Sequence, residues 1–460
     1  MWEDNLQDTI AAISTATGEG GIGIVRLSGD ESLAIADKIF AGLDKQKPSH
    51  FKSYTVHYGK IVDNQKIIDE VILTVMRGPK SYTRQDVVEI NCHGGMLSLR
   101  KILELVLKQG CRLATPGEFT KRAFLNGRID LAQAEAVIDI IRAKTESALK
   151  ISLGQLSGSL SAEINKIRQK LLDILVILEA NIDFPEEGIQ PQDRKNLSLG
   201  LAAVEAQLNT LLNSATGGRI LREGLQIVIC GKPNVGKSSL LNALLKKERS
   251  IVTSVAGTTR DSIEEMIDIK GIPVKIVDTA GILKPRNLIE RKAVQRSRQQ
   301  IKLADLIIIL FDASSRLDAQ DWKIIKEIKN KPAVAVLNKI DLKARIEKGL
   351  VNQEFERVVS LCAKQAKNIN LLEDALYNFV YQGKLPSPEL ILVSNLRHIQ
   401  ALEAAQKLVS EIKASSMDKL PPEFIAQNLK DACVYLDKIL GKNFSGDLLD
   451  RIFTDFCIGK

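Results

Sequence analysis

Residues 231–239 read Gly231-Lys232-Pro233-Asn234-Val235-Gly236-Lys237-Ser238-Ser239. An apolar run, 225–230, precedes them and the helical pattern Leu240, Leu241 and Leu244 follows. Strand, glycine loop and helix thus stand in the order that a phosphate cradle requires. Gly231 and Gly236 let the backbone aim its N–H groups inward, and the positive end of the following helix favours polyphosphate there. In such a cradle Lys237 reaches the outer phosphates and Ser238 offers a hard oxygen to Mg²⁺. The expected nucleotide contacts of the loop are Asn234, Val235, Gly236, Lys237, Ser238 and Ser239.

Three further motifs follow in order. The segment Thr253-Ser254-Val255-Ala256-Gly257-Thr258-Thr259-Arg260-Asp261 supplies a hydroxyl, on Thr259, that can complete a Mg²⁺ shell. Asp278-Thr279-Ala280-Gly281 ends a strand-like run and sets a carboxylate near the metal and a glycine N–H near the γ-phosphate. Asn338-Lys339-Ile340-Asp341 closes the apolar run 333–337 and selects the base. A carboxylate at Asp341 accepts the two donors on guanine's Watson–Crick edge, whereas adenine would leave it unpaired, and such sites discriminate by orders of magnitude. Cys362-Ala363-Lys364 stands where guanine-binding domains usually carry Ser-Ala-Lys. The expected backbone contact remains, and the hydroxyl contact is absent. Four motifs in this order predict a GTPase domain.

The chain has 460 residues, enough for two to four domains, and its 45% hydrophobic content suffices for sizeable cores. A net charge of +8 is compatible with a nucleic-acid partner, while 4% aromatic residues leave few base-stacking platforms. Six cysteines form no Cys-x-x-Cys pair and no zinc spacing, which fits a reducing compartment. The acidic, polar start lacks a secretory pattern, and the most apolar helical run, 171–180, contains Asp173 and Glu179 and is too short for a bilayer. A cytoplasmic protein with no membrane association is expected.

Before the loop, apolar runs at 9–13, 22–27, 54–61, 71–75 and 87–91 and a helix at 97–107 predict a mixed α/β domain, residues 1–125. Gly18, Gly20, Gly21 and Gly23 lead into a strand rather than a helix, so they are not a dinucleotide fingerprint. They predict a tight turn, or room for a flat ligand. A helical domain follows at 126–220, with one long amphipathic helix spanning 149–178, a second at 201–211 and a hinge at Gly217-Gly218. The GTPase domain takes 221–382, and helices resume in 383–460 at 396–412 and 421–440, with Gly441 as a C-cap. The expected fold is therefore multidomain, α/β plus all-α, with a Ras-like phosphate-loop domain inserted into a helical bundle.

Ras-type GTPases orient the attacking water with a glutamine just after the third motif, where this chain has Ile282. An apolar side chain cannot do so, and hydrolysis needs another device. The carboxamide of Asn234 can coordinate a monovalent cation, K⁺ being the natural tenant, or it can hold the loop by hydrogen bonding. Glu290 is the nearest downstream acid able to orient water, or else a partner of a helix terminus.

Four stretches stand out together: Pro116-Gly117-Glu118-Phe119-Thr120-Lys121-Arg122-Ala123-Phe124-Leu125-Asn126-Gly127, Asp130 to Ala136, Gly257 to Asp261, and the terminal Cys457-Ile458-Gly459-Lys460. In this combination the chain resembles one family, the tRNA-modification GTPases called MnmE or TrmE. The resemblance implies an amino-terminal folate-binding and dimerising domain, with Arg26, Glu89, Arg128 and Lys460 on the contacts to a tetrahydrofolate derivative, 5-formyl or 5,10-methylene. Asn234, Thr253, Val255 and Thr258 fall on the family's K⁺ ligands, Ser238 and Thr259 on its Mg²⁺ ligands, and Glu290 on the glutamate that assists hydrolysis. Cys457 falls on a cysteine needed for tRNA modification. The implied assembly is a homodimer that joins the FAD-bearing protein MnmG and builds an aminomethyl or carboxymethylaminomethyl group on C5 of the wobble uridine of certain tRNAs. Arg84 and Gln85 depart from the family's usual Gly and Glu. Ribosome-assembly GTPases of the Era or Der kind share the phosphate loop, but the sequence shows neither a second such loop nor a Gly-x-x-Gly RNA loop in helical context. A nucleotide switch that binds no folate is the other alternative.

Overall fold

A computed structural model of the protein describes residues 7–16, 18–183, 191–247, 266–278, 299–381, 391–414 and 421–460. It divides into two compact units, one of residues 1–138, 155–172 and 430–460, the other of 139–154 and 173–429.

The first unit is built on a seven-stranded sheet of order β3-β4-β5-β6-β2-β1-β7. Its strands are β1 (Ile10–Ile13), β2 (Gly23–Ser28), β3 (Phe40–Gly42), β4 (Thr55–Asp63), β5 (Lys66–Met76), β6 (Val87–Cys92) and β7 (Arg112–Leu113). Alternation along β2 sends Val25 and Leu27 into a core shared with Ile35 and Ile39 of the helix Ser32–Ile39 and with Ile102 and Val106 of the helix Met96–Lys108. Arg26, one step out of phase, stands on the other face, opposite its register partner Glu89. On that face the helix Glu118–Leu125 covers Ile10 and Ala12 with Phe119. The helix Gly446–Thr454 contributes Leu449 and Phe453 to a cluster with Ala123, Phe124 and Leu131.

The second unit carries a six-stranded sheet of order β13-β12-β11-β8-β10-β9. These are β8 (Leu225–Gly231), β9 (Met266–Ile269), β10 (Ile272–Asp278), β11 (Leu306–Asp312), β12 (Ala333–Asn338) and β13 (Val358–Ser360). All pairings are parallel except β9 with β10. Parallel strands have both faces covered, which is why Leu306 to Phe311 are buried without interruption and divide between two cores. The helices Pro191–Asn213 and Leu396–Ala414 run side by side, joined by Ser410 Oγ donating to Glu205 at 2.9 Å.

Two sequence expectations are corrected. The stripe 149–178 is not one helix: Glu146–Leu156 ends and Ser159–Asp183 begins around Gly158, whose φ of +90° leaves helical space. The Gln133 amide donates to the freed Leu156 carbonyl at 2.9 Å, so leucine spacing persists across a break that the polar contacts hold. Gly217 and Gly218 form no hinge, because they lie within the helix Ala215–Glu223. Gly218 is needed for close approach instead, since a Cβ there would stand 2.3 Å from the Val393 carbonyl oxygen. Gly441 does follow the helix Pro422–Leu440 in left-handed conformation, φ +74°.

Candidate functional site

β8 ends at Gly231 and the helix Lys237–Lys247 starts six residues on, so the phosphate loop opens at the carboxyl edge of the sheet's middle. Ligands of open parallel sheets bind at that edge. Gly231 has φ +146°, and a Cβ there would come within 2.6 Å of the Leu310 carbonyl oxygen. Gly236 has φ +104°, and its Cβ would meet Nδ2 of Asn338 at 2.2 Å. The glycines therefore serve conformation and contact at once.

A cavity of about 540 Å³ lies over this loop, within the usual range for small-molecule sites. Asn234, Gly236, Lys237, Ser238 and Ser239 line one side. Asn338, Lys339, Asp341, Leu342, Cys362 and Lys364 line the other. The loop and the base-selecting motif, a hundred residues apart in sequence, thus face a common space.

Asn338 ties the parts together. Its Nδ2 donates to the Val235 carbonyl at 2.8 Å and its Oδ1 accepts from the Ala363 N–H at 2.9 Å, with the side chain buried. Val235 and Ala363, expected as nucleotide contacts, enter through their backbones. Lys237 Nζ donates to the carbonyls of Gly231 at 3.0 Å and Lys232 at 2.8 Å, which holds its ammonium over the loop. Cys362 Sγ donates to Asp341 Oδ1 at 3.0 Å, so a thiol occupies the donor position where a hydroxyl was expected to be missing. That bond, a local backbone bond and the nearby Lys364 and Lys339 hold the Asp341 carboxyl below its usual range. Burial and then Asp341 push the Cys362 thiol up, so it remains a protonated donor at neutral pH.

Several contributors were not foreseen. Asp312, the last residue of β11, accepts from Lys339 Nζ at 2.7 Å. Burial alone would raise its carboxyl, but the bonds from Lys339 and Ser314 prevail and lower it. Lys232 bridges from the loop to Asp318 at 2.8 Å and Asp321 at 2.7 Å, two residues that form a capping box on the helix Ala319–Ile328. The available signal was positional, for Asp312 ends an apolar run one strand away from the phosphate loop.

Asp278 ends β10 parallel to β8, which brings its backbone to the same edge of the sheet. Thr253, Ser254, Val255, Ala256, Gly257, Thr258, Thr259, Thr279, Ala280, Gly281, Ile282 and Glu290 lie outside the described residues. As for Mg²⁺ and K⁺, the residue types present fit hard cations, since Ser238, which carries a hydroxyl, and Asn234, which carries a carboxamide, line the cavity with Lys237.

In the first unit the four expected folate contacts converge. Arg26 Nε and Nη2 pair with Glu89 Oε1, each at 2.8 Å, and Arg26 Nη1 donates to the Gly459 carbonyl at 3.1 Å. Arg128 stacks over the Tyr82 ring at 4.7 Å, with Arg26 5.9 Å from the same ring. The carboxyl-terminal tail is pinned here, because the Lys460 carbonyl accepts from the Phe119 N–H at 3.1 Å and the Ser14 hydroxyl donates to the Gly459 carbonyl at 3.1 Å. Cys457 is exposed. Tyr82 was not foreseen as a member of this group. The departures Arg84 and Gln85 are both accommodated: Arg84 adopts φ +63°, the conformation a glycine would take, and Gln85 Oε1 accepts from Arg122 and Ser28, each at 3.1 Å. His93 pairs with Asp69 at 2.7 Å on the outer surface.

A parallel sheet opening into this glycine loop, with an Asn-Lys-x-Asp motif across the cavity, defines a phosphate-loop GTPase domain. Two family models match the chain, one described as MnmE helical domain over residues 131–457 and one as GTP-binding protein TrmE N-terminus over residues 9–128. The chain belongs to the MnmE family. The tRNA modification GTPase MnmE of Alkaliphilus oremlandii is 47% identical over 459 residues, 99% of this chain and all of that protein. The Bacillus subtilis protein of the same name is 43% identical over 458 residues, 98% of this chain and all of its own. The solved structure of Era from Aquifex aeolicus covers 40% of this chain and 66% of its own, at 31% identity and a TM-score of 0.29. Among the described residues no helix is long and apolar enough to cross a membrane.

Proposed function

We propose that this protein hydrolyses GTP and uses the cycle to drive modification of tRNA at C5 of the wobble uridine. The observation that supports this most is the cavity in which the phosphate loop meets Asp341, with Asn338 bonded to both sides. Asp341 and the Ala363 N–H read guanine. Lys237 leaves the loop carbonyls for the phosphates, and backbone N–H groups from Val235 to Ser239 cradle them. Mg²⁺, held by Ser238 and Thr259, and K⁺, held by Asn234, Thr253, Val255 and Thr258, supply positive charge against the phosphates when bound. Thr279, Ala280 and Gly281 follow Asp278 around the γ-phosphate, and Glu290 orients water.

The first unit would bind a tetrahydrofolate derivative with Arg26, Glu89, Arg128 and Lys460, and Cys457 would act on the tRNA. The working assembly in this reading is a cytoplasmic homodimer joined to MnmG. Its domains are 1–125, 126–220, 221–382 and 383–460. The test has two arms. GTP turnover by the purified chain is expected to rise steeply when Na⁺ is exchanged for K⁺. Mass spectrometry of tRNA from cells lacking the gene is expected to show wobble uridines without the C5 substituent, and unaltered uridines would refute the modification reading.

A further inference from the structure

On the base side of the cavity the ammonium of Lys339 is engaged by the carboxylate of Asp312. Lys339 lines the cavity and is held in left-handed backbone, φ +65°, a conformation that costs a non-glycine residue about 1 kcal/mol. What steadies it is Asp312. The Asp312 carboxylate takes Lys339 Nζ on Oδ2 at 2.7 Å, while its Oδ1 accepts from the Ser314 N–H at 2.9 Å and the Ser314 hydroxyl at 2.6 Å. The backbone agrees, because Asp312 is in register with Asn338 and the Ala313 N–H donates to the Asn338 carbonyl at 2.9 Å. Asp312 does not itself line the cavity. With the Lys339 ammonium engaged by Asp312, a residue outside the lining, the four-carbon stem is the part of Lys339 left to line the cavity that Asp341 also lines.

We propose that Asp312 is a positioning residue for guanine recognition, engaging the Lys339 ammonium so that the lysine stem forms an apolar wall for the base. The proposal rests on the guanine-nucleotide reading of this cavity. It has two consequences. Loss of Asp312 releases a charged, mobile side chain into the base pocket, which weakens binding that depends on the base. Binding that depends only on phosphate stays as it was or tightens, since the phosphate loop is untouched and gains a nearby cation.

The test measures GDP and inorganic tripolyphosphate affinity for the full chain as wild type, Asp312→Asn, Lys339→Met and the double variant. Asp312→Asn is isosteric and keeps an acceptor for Ser314. It is expected to weaken GDP about tenfold, equivalent to 1.4 kcal/mol, and to leave tripolyphosphate within about twofold or tighter. Methionine keeps an apolar stem without charge, so in the Lys339→Met background the Asp312→Asn effect on GDP is expected to fall below about twofold. A tenfold loss that persists in that background overturns the proposal, as does equal loss of GDP and tripolyphosphate. Should Asp312→Asn not fold, Ser314→Ala, which removes the hydroxyl bond to Asp312 Oδ1 and leaves the backbone one, is expected to weaken GDP by less than Asp312→Asn would and to spare tripolyphosphate, and equal losses overturn the proposal there too. A wild-type chain that fails to bind GDP refutes the guanine reading, whereas one that binds GDP and is indifferent to Asp312 refutes only the positioning role.

Discussion

Replacing Asn338 by aspartate tests the joint between the two halves of the nucleotide cavity. The amide orientation is fixed by its partners, because a carbonyl can only accept and an N–H can only donate. Nδ2 must face the Val235 carbonyl and Oδ1 the Ala363 N–H. Asn338→Asp keeps the second bond and sets two acceptors against each other at the first, 2.8 Å apart in the wild type. An ionised variant loses about 1 kcal/mol of hydrogen bond and strands a buried carbonyl at about 1–3 kcal/mol, together about 2–4. A protonated variant recovers both bonds, at a cost of about 1.4 kcal/mol per pH unit above the unfolded pKa near 3.9. That cost is about 1.5 kcal/mol at pH 5 and about 4 at pH 7. The folded pKa of the new carboxyl is thus raised, so its contribution is complete below the unfolded value and is lost as pH rises through the folded one. The deficit against wild type grows from pH 5 toward pH 7 and then levels. Amide hydrogen exchange of peptides spanning 225–245 and 333–365, corrected for intrinsic rates, reads this locally. A deficit of 2–4 kcal/mol corresponds to exchange roughly 30- to 1,000-fold faster at pH 8, shrinking toward pH 5. Equal protection at pH 8, or a deficit that does not change with pH, would refute the reasoning.

Other parts of the molecule carry expectations of the same kind. Cys362→Ala removes the thiol that donates to Asp341, so the Asp341 carboxyl should titrate at higher pH in an NMR titration of the nucleotide-free chain, and an unmoved titration contradicts the thiol's role. Glu118 accepts from Arg112, Arg122 and the Thr115 N–H; burial opposes ionisation, but these partners hold its carboxyl down to about 2. Its stabilisation is present above the unfolded value near 4.5 and is lost as pH falls toward 2. Glu118→Gln should cost about 2–4 kcal/mol in denaturation at pH 7, with the gap closing in acid. Arg84→Gly should gain about 0.5–1 kcal/mol by relieving a left-handed arginine, less the bond from Arg84 to the Asn126 carbonyl, and a clear loss of melting temperature would show that the bond dominates.

What the sequence disclosed and what it withheld divide along a physical line. The phosphate loop and the base motif were legible because their chemistry demands particular residue types at fixed spacing, and the cavity brings them together. The core strands β8 and β12 were legible because two-sided burial leaves unbroken apolar runs, whereas β11, an apolar run of the same kind, carries no motif and was not singled out. The helices Ser32–Ile39 and Glu118–Leu125 were not singled out, being eight residues each, too short for periodicity to stand out. The break at Gly158 was hidden by leucines that keep helical spacing through it, since the contact responsible comes from Gln133, on another helix. Asp312 and Lys232 escaped for the same reason. Neither belongs to a spacing rule, and each acquires a role only when a neighbouring strand or helix is placed beside it. Motifs encode contacts with the ligand, which every protein using that ligand must make. The contacts that hold those motifs in position are made between elements distant in the chain, and tertiary structure alone reveals them. Substitution of such supporting residues therefore separates the two layers: loss that depends on the base, with phosphate binding intact, marks support of one motif, whereas loss of both marks the joint at Asn338.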